Sequence, residues 1–210
     1  SLVAQKINTY VFQHPGALVH NARAIRSHLK RKENAPKVTR HLPGIDGSYL
    51  HGPGRDIRVL EYIQGSHTIE VLESPDQAFE AALTFAGFSR ELSDFDTERL
   101  ITVLPDFHNP SMRYRLFLEA LQDAQVVRTE ACRDETGFAK SMEFLIAEWQ
   151  LLMAGLPIRV CHNDCKINNI LMGSDDGKAL AIIDLDTSMP GCLMTDFGDL
   201  VRTCCNSEAE

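Results

Sequence analysis

Arg159-Val160-Cys161-His162-Asn163-Asp164-Cys165-Lys166-Ile167-Asn168-Asn169-Ile170-Leu171-Met172 is followed, after a turn-rich gap, by Ala181-Ile182-Ile183-Asp184-Leu185-Asp186-Thr187. His162, Asp164, Lys166 and Asn169 fall at the spacing His-x-Asp-x-Lys-x-x-Asn, and Asp184 follows on a short apolar run. That set suits transfer of a phosphoryl group, which needs a hydroxyl aimed, a metal held and phosphate charge neutralised rather than covalent chemistry. An Asp accepts the hydroxyl proton, a Lys two residues on reaches the phosphate, and an Asn five residues on gives an oxygen to magnesium. Asp184 adds the hard carboxylate oxygens that magnesium prefers. Asp164 and Lys166 are therefore the candidate catalytic residues, and Asn169 and Asp184 the candidate metal ligands. His162 is read as a packed histidine that braces the loop.

This is the spacing of a kinase catalytic loop and its metal-binding aspartate. A literal Asp-Phe-Gly, at Asp196-Phe197-Gly198, competes for the metal role. In protein kinases the metal-binding Asp comes soon after the Asn, across a tight strand pair. Asp184 lies fifteen residues after Asn169, with turn residues Gly173 to Gly177 between two apolar runs, whereas Asp196 lies twenty-seven residues away. The metal is assigned to Asp184. Asp196 is read as opening a helix, where an Asp serves as N-cap and suits the helix dipole. Asp186 faces the same side as Asp184 if the strand continues, and is a candidate second oxygen donor.

Outward from the loop, Leu2 to Asn8 reads as a strand carrying Lys6. Pro15 opens a helix whose Ala17, Leu18, Ala22, Ile25 and Leu29 recur at helical spacing to about Lys32. Lys37 to Leu42 and Asp56 to Ile63 read as strands of an antiparallel meander, with turn signals at Ile45-Asp46-Gly47 and Gly52-Pro53-Gly54. The glycines from Gly44 to Gly54 lack phosphate-loop spacing and are read as hairpin turns. Helices are expected from Ser74-Pro75, from Asn109-Pro110, from about Glu135 to Met153, and from Asp196 onward. Short strands are expected at Ile170 to Met172 and Leu180 to Asp184. The expected fold is α+β and bilobal: a small β-rich lobe at 1–63, a hinge at Glu61 to Gly65, and a larger, mostly helical lobe at 64–210. A cleft between such lobes is where a nucleotide sits.

The 44% hydrophobic and 24% charged content of the 210 residues is that of an ordinary globular protein. A net charge of −8 argues against nucleic acid as a partner. The basic run Arg26 to Lys32 sits at a helix C-terminus, where positive charge meets the dipole. No apolar stretch approaches the roughly eighteen residues that span a bilayer, and no signal peptide is visible, so a cytoplasmic protein with no membrane partner is expected. Cys161 and Cys165 flank His162, but no further pair completes a zinc tetrahedron, and the six cysteines are read as reduced. The first residue is not Met, and the final helical pattern is still running at the end, so a fragment is expected.

His162 to Met172 (HNDCKINNILM) and Ala181 to Arg202 (AIIDLDTSMPGCLMTDFGDLVR) resemble the aminoglycoside phosphotransferase and choline kinase superfamily. Within it, they are most similar to N-acetylhexosamine 1-kinase-like proteins. Ala4 to Phe12 and Pro105-Asp106-Phe107-His108 resemble the same group. The resemblance implies a protein-kinase-like fold and use of ATP and Mg2+ to phosphorylate a sugar, at the anomeric hydroxyl of an N-acetylhexosamine. It implies Asp164 as base, Asn169 and Asp184 on magnesium, Lys166 on the transferring phosphoryl, and Asp196 bracing the loop from below. It also implies Glu61, Tyr62 and Ile63 as the adenine-binding hinge and Lys6 at the nucleotide phosphates. Two departures stand out. No glycine-rich hairpin precedes Lys6, and no acidic residue between Ser1 and Lys32 can pair with it. The family's C-terminal helices are also missing. A kinase for another alcohol (an aminoglycoside, choline or methylthioribose) and a nucleotide-binding pseudoenzyme stay open as alternatives.

Overall fold

The computed structural model describes residues 1–205; the end of the expected helical lobe, 206–210, lies outside the described residues. The chain forms two compact units, one of Ser1–Leu104 with Ile158–Glu210, the other of Pro105–Pro157.

In the first unit, Leu2–Lys6 (β1) pairs antiparallel with Ile57–Glu61 (β2), with Leu2 opposite Glu61 and Lys6 opposite Ile57. Pro15–Leu29 (α1) begins with proline at its first turn and buries Ala17, Leu18, Ala22, Ile25 and Leu29 on one face. Asn21 interrupts that apolar face. Fully buried, its amide donates to the Ile101 carbonyl (2.7 Å) and the Ser188 carbonyl (3.0 Å) and accepts from the Ile101 amide (2.9 Å). A buried amide is tolerated only when so satisfied.

Lys37 to Leu42 does not form the regular strand expected. It touches its neighbours through single bridges, Val38 to Ile182 and His41 to Leu60. The loop containing Pro36, which has no N–H to donate, leads into it, and one ladder bond on each side of Leu60 completes the pairing (Leu42 N to Val59 O, Glu61 N to Arg40 O). The stretch 44–54 forms turns, with Gly47 at φ 76° and Gly52 at φ 81°, as the hairpin reading required.

Ser66–His67 (β3), Ile170–Gly173 (β5) and Ala179–Ile182 (β6) form a three-stranded sheet in the order β3-β5-β6. Ser74 caps Pro75–Glu91 (α2) by accepting from the Gln77 amide, and α2 lies against β6 and Arg159–Cys161 (β4). β4 pairs antiparallel with Met189–Gly191 (β7), which leads into Leu193–Cys204 (α7). Phe85, Phe88, Ile25, Leu92, Val160, Ile170, Met172 and Ile182 share one buried core. Each such burial contributes about 1.5–3 kcal/mol.

The second unit holds Pro110–Asp123 (α3), Val126–Ala131 (α4), Arg133–Ser141 (α5) and Phe144–Ala154 (α6). Asn109 caps α3 through the Met112 amide. The single helix expected from Glu135 to Met153 is broken at Met142-Glu143. There the Ser141 hydroxyl donates to the Phe138 carbonyl (2.7 Å), a local bond that competes with continuation of the helix.

Candidate active site

The β4–β7 pair sets the loop that follows β4, with His162, Asp164 and Lys166, beside the turn that follows β6. Asn163 stands at φ 63°, a left-handed conformation that Asn tolerates better than most residues. This kink aims two successive amides, of His162 (2.9 Å) and Asn163 (2.7 Å), at the two carboxylate oxygens of Asp196. The loop is tied on its other side as well. Asn163 Nδ2 donates to the Thr187 carbonyl (3.0 Å), and the Thr187 hydroxyl donates to the His162 carbonyl (2.7 Å).

Asp196 is therefore not the N-cap expected. The helix begins at Leu193, Cys192 occupies the cap, and Asp196 sits one turn in, buried, with its carboxylate given to the loop. Burial pushes its carboxyl up, and the two amides oppose that shift. His162 is wholly buried, lies edge-on to Phe85 and Phe88 at 5.4 and 6.0 Å, and pairs through Nε2 with the Ile183 carbonyl at 3.1 Å. Nothing solvent-borne reaches it. Cys161 and Cys165 are also buried, and burial pushes both thiols up, so they stay protonated at neutral pH.

Asp164, Lys166 and Asn169 converge. One Asp164 oxygen lies 3.2 Å from Lys166 Nζ; the other accepts from Asn169 Nδ2 at 2.9 Å. The same Nδ2 donates to the Asp164 carbonyl at 2.8 Å. Both bonds use the amide nitrogen, which leaves the Asn169 amide oxygen for a cation.

Asp184 is not on a continuing strand. β6 stops at Ile182, and Asp184 adopts φ 56°, ψ 59° before the tight turn Leu185–Thr187. Burial pushes its carboxyl up, the adjacent Asp186 adds to the shift, and Arg58 opposes it. A carboxylate whose charge is disfavoured by anionic neighbours is what a divalent cation relieves, so the donor set fits magnesium. Among the described residues there is no cluster of three or more His, Cys, Asp or Glu that could hold a metal.

A cavity of about 330 Å³ adjoins these groups, lined by Glu61, Tyr62 and Ile63 together with Val3, Gln5, His41, Arg58, Asn169 and Asp184. Lys6 is absent from it. Successive side chains on a strand alternate, so Val3 and Gln5 face the cavity while Lys6 points away, 76% exposed and 3.6 Å from Asp56. Asp186 departs from its expected role too. The turn carries it away from a strand register, and the Arg58 guanidinium holds both its oxygens, one at 2.9 Å. Arg58, Asn163 and Thr187 were not singled out from the sequence. Only Arg58 had a signal, an arginine at the in-facing position next to Leu60 of a half-buried strand.

His41 lies buried beside Arg58, and burial first, then Arg58 and Arg23, lower its pKa from 6.5 to about 4. The unfolded chain thus takes up this proton first. Stability from neutral His41 is complete above pH 6.5 and lost as pH falls toward 4. Between pH 7 and 4.5 the wild-type protein should lose about 2–3 kcal/mol more than His41→Phe. Urea unfolding at both pH values checks this, and equal losses in the two proteins would refute it.

A family model described as "Phosphotransferase enzyme family" matches residues 4–210. An uncharacterized kinase-like protein of Caenorhabditis elegans is 23% identical over 164 residues, 78% of this chain and 36% of its own length. The GDP complex of aminoglycoside 2'-phosphotransferase-IIIa superimposes with a TM-score of 0.57 at 21% identity, covering 91% of this chain and 63% of that one. An aminoglycoside phosphotransferase from Alicyclobacillus acidocaldarius gives 0.62 at 20% identity, covering 96% and 61%. The chain therefore spans 36% of the curated relative and less than two thirds of either solved structure. The likeness is one of fold, the α+β, kinase-like fold expected from the sequence.

Proposed function

The chain belongs to the phosphotransferase enzyme family, and on that premise we propose that it carries the active site of an ATP-dependent small-molecule kinase. The acceptor in this reading is a sugar, an N-acetylhexosamine phosphorylated at its anomeric hydroxyl, and the reaction is cytoplasmic. Residues 1–63 contribute to the nucleotide lobe and 64–210 to the helical lobe. The observation that carries the reading is the Asp164 carboxylate held between Lys166 and Asn169 beside a cavity that also receives Asp184.

Asp164 accepts the proton of the acceptor hydroxyl as its oxygen bonds to the γ-phosphorus and the bond to ADP breaks. Lys166 neutralises the transferring phosphoryl. Glu61, Tyr62 and Ile63 border the adenine. The Asn169 amide oxygen and Asp184 would hold Mg2+, which when bound neutralises phosphate charge. His162 and Asp196 keep the loop in shape.

ADP release by the full-length protein should be stimulated by N-acetylglucosamine or N-acetylgalactosamine, and not by glucose, galactose, kanamycin or choline. Stimulation by kanamycin or choline alone would move the reading to another alcohol kinase. Silence with every acceptor despite MgATP binding would move it toward a nucleotide-binding pseudoenzyme. Asp184→Asn should weaken MgATP binding tenfold or more, the loss of a charged contact of about 1.5–3 kcal/mol, while metal-free ATP binding changes little. Titration calorimetry with and without magnesium reads the difference, and equal losses in both would remove Asp184 from the metal site.

A further inference from the structure

In the kinase reading the nucleotide phosphates call for a fixed positive charge, and the lysine expected to supply it faces away from the cavity. Directly opposite Gln5 in the β1–β2 register stands Arg58. Arg58 is 5% exposed and borders the same cavity as Asn169 and Asp184. Its Nε donates to Gln5 Oε1 at 3.0 Å, and its two terminal nitrogens each donate to one oxygen of Asp186. Three of the five guanidinium N–H groups are thus committed to a planar, two-pronged grip on one carboxylate and to a neighbouring strand. His41, neutral because its pKa lies far below 7, sets no competing charge beside the arginine.

The consequence lies two residues away. Asp184 and Asp186 belong to one tight turn, with Asp184 in a left-handed conformation that few residues other than glycine adopt, though aspartate adopts it more readily than most. β6 ends before this turn, so no sheet ladder holds it. It is tied to the loop by the Ile183 amide on the Asn169 carbonyl (2.9 Å), by the His162–Ile183 pair and by the Asn163–Thr187 and Thr187–His162 bonds, and on the other side, at Asp186, by Arg58. A two-point grip fixes orientation as well as distance, which a single-point ammonium does not do.

Resting on the kinase reading above, we infer that Arg58 is a positioning residue for the metal-nucleotide site: by clamping Asp186 it holds the turn that presents Asp184. Arg58 acts from β2, so the sheet and the metal-binding turn are joined through one buried ion pair. Removing the arginine also leaves Asp186 a half-buried carboxylate without its ion-pair partner, which pushes the turn to rearrange toward water.

The test measures binding, not turnover, in the full-length protein. Dissociation constants for Mn2+-ADP and for adenosine are determined by calorimetry for wild type, Arg58→Met, Arg58→Lys, Asp186→Asn and the Arg58→Met/Asp186→Asn double variant, with melting temperatures alongside. Arg58→Met should weaken Mn2+-ADP about tenfold or more and adenosine less than about twofold. Arg58→Lys, which keeps the charge and so protects the fold, should show an intermediate loss. The double variant should be no weaker than Arg58→Met, because both changes break one link. Additive losses in the double variant, or parallel losses of adenosine and Mn2+-ADP affinity, would overturn the positioning role, as would unchanged Mn2+-ADP affinity in Arg58→Met. Wild-type protein that binds ADP no better with Mn2+ than without would instead overturn the kinase reading itself, and this inference with it.

Discussion

Asp164→Ala lowers turnover by about three orders of magnitude or more while MgATP affinity stays within roughly threefold of wild type. A general base contributes in the transition state, so its removal falls on kcat and spares the bound nucleotide. The structure supplies a reason why binding survives. Asn169 Nδ2 donates both to the Asp164 carboxylate at 2.9 Å and to the Asp164 main-chain carbonyl at 2.8 Å. Truncation removes the first bond and keeps the second, so the Asn169 side chain keeps its orientation at the cavity. Single-turnover kinetics and nucleotide titration on the same preparation separate the two effects. Wild-type turnover in the variant would mean that Asp164 is not the base.

Asp196→Ala carries the second large effect, and it falls on stability and activity together. The carboxylate accepts the adjacent amides of His162 and Asn163 at 2.9 and 2.7 Å, all of them buried. Alanine leaves two buried N–H groups without an acceptor, each costing about 1–3 kcal/mol, so a loss of about 2–5 kcal/mol is expected. The burial that raises the carboxyl's pKa is relieved in the variant and keeps the loss toward the lower half of that range. The left-handed kink at Asn163 loses its anchor, and with it the aim of Asp164, so kcat should fall at least about a hundredfold in whatever protein remains folded. Asp196→Asn retains one acceptor oxygen and should show roughly half the stability loss. Denaturant midpoints and kcat measured on folded protein check both variants. A stable Asp196→Ala protein with normal kcat would mean that the loop holds its shape without this brace.

The candidate site was legible in the sequence to the extent that it is local. His162, Asp164, Lys166 and Asn169 lie within one loop, and their spacing alone brings Asp164 within reach of both Lys166 and Asn169. Assigning the metal to Asp184 over Asp196 rested on spacing and turn residues alone. In the fold, Asp184 borders the cavity, and Asp196 lies beneath the loop. What failed was each inference that required knowing where a strand stops or which face it shows. Lys6 was placed at the nucleotide phosphates because the resemblance implies it, but the strand's alternation puts Val3 and Gln5 on the cavity and turns Lys6 outward. Asp186 was given the same side as Asp184 on the assumption of a continuing strand, and the chain instead turns at Asp184. Asp196 was read as a helix cap because an Asp before a helical pattern is the commonest reason for one, yet the helix starts three residues earlier.

By itself the sequence determined the convergence of Asp164, Lys166 and Asn169 in one loop, the helix starts at Pro15, Ser74-Pro75 and Asn109-Pro110, the turns of 44–54, and the α+β character, because spacing, caps and glycine conformations are properties of a few neighbouring residues. Tertiary structure alone decided which charges face the cavity. Arg58 reaches Asp186 across 128 positions of chain, and Asp196 reaches Asn163 across 33. Such pairings are selected by burial: a charge shut away from water must find its partner wherever the packed chain places one, and no local pattern encodes that place.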